Sequence, residues 1–510
     1  MKKITPKRIG LVILALLMTA GMIMNIPSCS STNSGSNDPT RAPITTQAVT
    51  TGGGEVVATD GTTEGSDSPV ITDNTVEPKL IPVEENSIVS MVQSSKGDVH
   101  DLTYEDILAM VRQAIDYVGG IASVVKDGDT VILKPNLVTP IDYTLKGWNG
   151  KPLATEVNGN CTDWRVARAV AVIVREVNPS GKIIIMEGSA FPTPEVMAAL
   201  NFTKEFIPEV DEFVAMENDS GDWRDPNSPN LARVKTPNAL LYKEYFYNRR
   251  MFMADVVIDM PTLKNHWNAG VTGAIKNMSI GASPATMYGV GEDNNNRGII
   301  PHDNLEFHKF LADFYACRPV NLVVMDALQG LDNGPTPCFD LTGITDITTC
   351  QKNMRTILCS KDGLAIDTVE TNIINYDIDT VDYLNFLRAM KVGNGLIQNI
   401  TVVGNIGIKD IRQDFAGSLP AYKVQRIPAS EMTVPAVAIT GFEADGANVK
   451  FSITPSGDVL RTEIYINGEL KEIVKDNSKT SFNLPASSGT VSVKVYNRRM
   501  FEATATQAIG

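Results

Sequence analysis

Three lysines with asparagine companions stand out from an otherwise acidic chain. The segment Ala254 to Ala282, ADVVIDMPTLKNHWNAGVTGAIKNMSIGA, carries Lys264-Asn265-His266 just after an apolar run and Lys276-Asn277 further on. An earlier apolar run ends in Lys134-Pro135-Asn136 in the same manner. Ammonium groups gathered where buried strands end suit a phosphate or carboxylate, and amides beside them add hydrogen bonds. The ligand-binding candidates are therefore Lys134, Asn136, Lys264, Lys276 and Asn277. His266 and His302 are the catalytic candidates, as side chains that bind metals or move protons near neutral pH. Carboxylates close other apolar runs at Glu187, Asp326 and Asp362, and Asp367 follows in the next helix. These four are the metal candidates, able to hold a divalent cation or to orient the lysines.

Each candidate has a plainer reading. The lysines could be solvated loop residues, or internal counter-ions for Asp326 and Asp367. His302 could cap a helix beside Asp303, and His308 reads as a surface helix residue. Glu187-Gly188-Ser189 lacks the GxSxG spacing of a nucleophile elbow. No GxxxxGK[ST] loop is present, and Gly289-Val290-Gly291 follows no strand, so phosphate-loop and dinucleotide readings have little support.

The elements that must position these residues alternate. A helix capped by Thr103 runs to Val118, with Ile107, Leu108, Val111 and Ile115 on one face. Val131-Ile132-Leu133, Ile183 to Met186, Val256-Val257-Ile258, Leu322 to Met325 and Thr356-Ile357-Leu358 read as strands. Helices are expected from near Thr162, from His302-Asp303 and around Asp367. Strands alternating with amphipathic helices imply an α/β fold with a mainly parallel sheet flanked by helices, whose ligands bind beyond the carboxyl ends of the strands. The tail, residues 434–510, has short alternating runs separated by Asn467-Gly468 and Pro455-Ser456-Gly457, which fits a small all-β sandwich of immunoglobulin or fibronectin type. A chain ending near Pro428 is accordingly expected to fold alone.

Lys2, Lys3, Lys7 and Arg8 precede an uncharged run from Ile9 to Pro27 and then Ser28-Cys29. This is the pattern of an export signal over residues 1–28, with Cys29 as the lipidation candidate in a lipobox-like site. An uncleaved membrane anchor is the alternative. Residues 29–85, rich in Ser, Thr, Gly, Asn and Asp, read as a disordered tether, ahead of an α/β domain over 86–428. The expected location is the bacterial cell envelope, held to the membrane and facing outward. Net charge is −14, and no basic arm with interleaved aromatics appears, which disfavours a nucleic-acid partner. The six cysteines include no CxxC pair, so no iron–sulfur cluster is expected; Cys338 and Cys350 could pair as a disulfide, or remain buried thiols.

The segments VILKPNLV, DMPTLKNH, GVTGAIKNMSIGASP, PHDN, VVMDALQGLDNGP and CSKDGLAIDTVE together resemble the bacterial and archaeal family called domain of unknown function 362. The resemblance spans roughly Asn86 to Gly417. It implies the fold and the site candidates but no reaction. Relatives with ferredoxin-type cysteine modules imply nothing here, since this chain lacks them. Two functional classes remain open: an enzyme acting on a small anionic substrate, with metal-assisted chemistry as one form of it, and a surface protein that binds such a ligand without turnover.

Overall fold

The apolar runs form strands that send alternate side chains to opposite faces of one sheet, and helices cover both faces. A computed structural model describes residues 74–138, 157–291, 295–302, 304–335, 347–415 and 423–510. The export signal, Cys29, Cys338 and most of the tether lie outside them. In chain order the main elements are β1 (Ser87–Gln93), α1 (Tyr104–Tyr117), β2 (Thr130–Pro135), α2 (Trp164–Val177), β3 (Lys182–Glu187), β4 (Glu212–Ala215) and β5 (Val256–Met260). There follow β6 (Thr262–His266), α3 (Gly273–Gly281), α4 (Leu305–Cys317), β7 (Leu322–Leu331), β8 (Gln351–Ser360), α5 (Gly363–Ile373) and β9 (Ile400–Gly404).

Local chemistry sets the helix starts. Thr103 and Asp106 form a reciprocal capping box on α1. Asp163 caps α2 and Asp362 caps α5, the latter accepting from Leu364 N and Ala365 N. Asn304, rather than His302 or Asp303, caps α4. Along β2, Val131 and Leu133 join the core beneath α1 and α2, while Ile132 faces the core formed with α3, α4 and α5. Sheet burial on both faces explains why the strands read as unbroken apolar runs.

The strand order is β9-β1-β8-β7-β5-β2-β3-β4, with β6 continuing beside β7 after the break at Pro261. The sheet is mixed. β5, β2, β3 and β4 are parallel, but β8 is antiparallel to both β7 and β1. The reversed β8 moves one site candidate. Because β8 runs the other way, its carboxyl end lies at the opposite edge from Lys134 and Lys264. There Asp362 accepts from Ser87 Oγ at 2.6 Å and Asn394 N at 2.7 Å.

The tail forms two antiparallel sheets, one of three strands (Ala436–Ala444, Asn448–Ser456, Ser481–Pro485) and one of four (Glu469–Val474, Val459–Ile466, Gly489–Asn497, Glu502–Ile509). They enclose a core of their own that includes Val449, Phe451, Ile464 and Val493. The tail packs against the α/β layers. Tyr496 and Met500 belong to the main core. Arg461, fully buried and paired with Glu463 at 2.7 Å, donates to Asn86, Gln398 O and Thr401.

Candidate functional site

Lys134 ends β2 on the face covered by α3, and its ammonium meets Glu187 Oε2, at the end of β3, at 2.8 Å. Both side chains are at most 2% exposed. The same ammonium donates to Pro135 O at 2.8 Å. Leu137 N also donates to Glu187, at 3.2 Å. A second layer of amides lies beside the pair. Asn136 Nδ2 donates to Asn277 Oδ1 at 2.7 Å, and Asn277 Nδ2 donates to Asp259 Oδ1 at 2.7 Å. Lys264, inside β6 rather than in a loop, donates to Asn136 Oδ1 at 2.7 Å and to Asn160 O. Its acceptors are uncharged, so burial dominates and lowers its pKa to about 8.

Lys276 differs from both. It sits on α3 between Ile275 and Asn277, 7% exposed. Its amine makes no hydrogen bond or ion pair among the described residues. Burial first, then the charges of Lys264 and Lys134, bring its pKa down to about 7, with Glu187 opposing. Arg297 is a further buried cation at this site. It donates to Ser283 O at 3.1 Å and Ser189 O at 2.6 Å, but its Nη2 has no acceptor among the described residues. That Nη2 lies against Gly188, where a Cβ would come within 2.1 Å of it. Gly281 makes the same allowance for the ion pair: a Cβ there would be 2.5 Å from Lys134 Nζ and 3.0 Å from Glu187 Oε1.

The remaining carboxyl groups do not serve as counter-ions at the lysine amines. Burial raises the pKa of Asp259, Asp367 and Glu370. Asp259 Oδ2 and Glu370 Oε2 have no partner among the described residues, which fits protonated carboxyls. Asp367 accepts from Ala274 N at 2.7 Å and Ile275 N at 3.0 Å, capping α3 from across the interface. Asp326 accepts from Asp163 N at 2.8 Å and Leu328 N at 3.0 Å, and burial raises its pKa to about 7. Neither aspartate pairs with a lysine, contrary to the counter-ion reading. Glu187, Asp326, Asp362 and Asp367 are not brought together, and among the described residues no three His, Cys, Asp or Glu side chains converge as metal ligands.

His266 Nδ1 accepts from Asn268 N at 3.1 Å and Ala269 N at 3.2 Å. Burial, followed by the charge of Lys276, depresses its pKa well below the usual value. The ring is thus neutral with its hydrogen on Nε2: a donor, not a base. His302 stacks on Phe307 with ring centres 4.9 Å apart and contacts Ile300 O through Nδ1. His308 is not a surface residue. It is fully buried, with Nε2 at 3.0 Å from Asn268 O and Nδ1 accepting from Tyr383 N at 3.3 Å.

Sequence reading missed Asp259, Arg297 and Glu370. An acid inside the apolar strand VVIDM was a usable signal for Asp259; Glu370, one turn from Asp367 on a wholly buried helix, was a weaker one. Arg297 had none.

The arrangement is that of an α/β protein with a buried, lysine-rich site at one edge of its sheet. Residues 131–372 match the family model described as Domain of unknown function (DUF362), the family the six motifs resemble. A thylakoid-associated protein of Synechocystis sp. is 25% identical over 300 residues, 58% of this chain and 76% of that one. Among solved structures, a β-glucosidase from Listeria innocua aligns with 80% of this chain and 51% of its own, about half its length, at 10% identity and a TM-score of 0.16. A modular endo-β-1,4-mannanase from Cellulomonas fimi aligns with 81% of this chain and 98% of its own, at 11% identity and a TM-score of 0.12. Likenesses of that size carry no argument. No helix among the described residues is long and apolar enough to cross a membrane; the run Ile9 to Pro27 lies outside them.

Proposed function

We propose that the edge formed by β2, β3, β6 and α3 binds a small phosphate- or carboxylate-bearing ligand. One observation carries this reading: two buried cations lie at this edge, and among the described residues Arg297 Nη2 has no acceptor and the Lys276 amine makes no hydrogen bond or ion pair. A buried donor without an acceptor costs ~1–3 kcal/mol, and more when charged. An anion seated between them would remove that cost, and burial, by raising the pKa of Asp259, Asp367 and Glu370, reduces the negative charge that would repel it. Inorganic phosphate and acetate should each raise the melting temperature of the full chain in a saturable manner. Arg297→Gln should weaken that rise roughly tenfold or more in midpoint concentration. An equal response from wild type and variant would refute the site.

Export and membrane attachment complete the proposal. They are supported by the basic start, the uncharged run to Pro27 and Ser28-Cys29, and by a relative described as thylakoid-associated. Cys29→Ala should abolish palmitate labelling; labelling that persists would rule out lipidation at Cys29. The tail's sheets of three and four strands suit an immunoglobulin- or fibronectin-like sandwich serving as a spacer.

A further inference from the structure

The three lysines are not equivalent. Lys134 is fixed to a carboxylate and Lys264 to two carbonyl oxygens, so both are held as donors. Lys276 alone of the three has no acceptor among the described residues. A largely buried amine with no protein acceptor among the described residues is better accommodated neutral, which leaves a nitrogen lone pair free. The residue is 7% exposed, so the side chain is not wholly sealed from solvent. The groups around it are Lys134, Lys264, Glu187 and His266. Of these, His266 offers an N–H, suited to a carbonyl oxygen.

We propose that Lys276 forms an imine with the carbonyl carbon of a small anionic aldehyde or 2-oxo acid, whose anionic group is held by Arg297 and Lys264. The proposal rests on the anion-binding reading and names its substrate class. The amine nitrogen attacks the carbonyl carbon. The C–O bond then breaks, and the oxygen leaves as water with the two amine hydrogens. No oxidant or further reactant is needed. Positive charge from neighbouring lysines both lowers the proton affinity of the nucleophile and attracts the substrate anion. At pH 7 about half of an amine with a pKa of about 7 is unprotonated, against roughly one in a few thousand for an ordinary lysine.

The test uses the full chain in phosphate-free buffer at pH 7, with glyoxylate as the carbonyl probe and cyanoborohydride to fix any imine. After digestion, mass spectrometry should find the carboxymethyl adduct first at Lys276, forming roughly a thousandfold faster than at exposed lysines. Inorganic phosphate should suppress it. Lys276→Arg should lose the adduct; Lys276→Met serves if the arginine does not fit. Adducts spread over surface lysines, with Lys276 no faster and phosphate still stabilising, would overturn the imine and leave the anion site standing. An adduct at Lys276 that phosphate neither slows nor accompanies with stabilisation would overturn the anion site itself.

Discussion

Replacing Lys276 by methionine should stabilise the protein, and only at low pH. Methionine is unbranched and close in volume, so it fills the same space without a charge. In the folded chain Lys276 loses its proton near pH 7, whereas in the unfolded chain it keeps it to about pH 10.5. Below both values the folded state carries a buried charge with no partner; above both it carries none. The contribution of this residue to stability therefore rises between pH 7 and pH 10.5 and is at its worst below 7. At 1.36 kcal/mol for each tenfold displacement of the proton equilibrium, the whole interval corresponds to roughly 2–5 kcal/mol. Urea denaturation of wild type and Lys276→Met, at pH 6 and pH 10 in buffers free of binding anions, measures the difference directly. The variant should be the more stable by that amount at pH 6, and the gap should close at pH 10. A variant equally destabilised at both values would mean that the amine has a stabilising partner, and the reasoning about both the anion and the lone pair would fail.

Glu187→Gln should cost ~3–5 kcal/mol in the same assay, because it strips the buried Lys134 of its counter-ion; a loss below ~1 kcal/mol would mean that water reaches the pair. Gly273→Ala should destabilise by at least ~1–3 kcal/mol, since Gly273 has φ +52° and its added Cβ would lie 2.4 Å from the Asp367 carboxylate that caps α3; an unchanged melting temperature would show that the cap yields freely. A chain ending at Pro428 should melt well below the full chain, although its sequence suggests a part that is stable by itself. It would remove Tyr496 and Met500 from the main core and Arg461 from Asn86 and Thr401. A melt matching that of the full chain would show the seam to be dispensable.

Much of this site was legible because charge inside an apolar strand is conspicuous. VILKPN and the segment around Lys264 announced their lysines at one sheet edge. What misled was direction, which local pattern does not encode. An apolar run reads alike whichever way it crosses the sheet, so Asp362 was assigned to the edge of Lys134 when antiparallel β8 carries it to the other. His308 was misplaced for a related reason. From Phe307 to Cys317 every residue of α4 but Lys309 is buried, so His308 falls where the helix packs against the core and not on a solvent face. Arg297 reaches the site from an irregular segment with no periodicity to place it.

The position of β1 has a consequence for how the chain assembles. Ser87–Gln93 is the first strand of the sheet to be synthesised, yet it lies between β8 and β9, hydrogen-bonding to Thr356–Ser360 on one side and Ile400–Gly404 on the other. The sheet cannot close until Gly404 of the 510 residues, about four-fifths of the chain, is available. Contacts of such sequence separation make folding slow and leave unpaired strand edges exposed in the meantime. Truncations that stop before Ile400 should accumulate as aggregates, because β1, already made, has lost one of the two strands between which it is held.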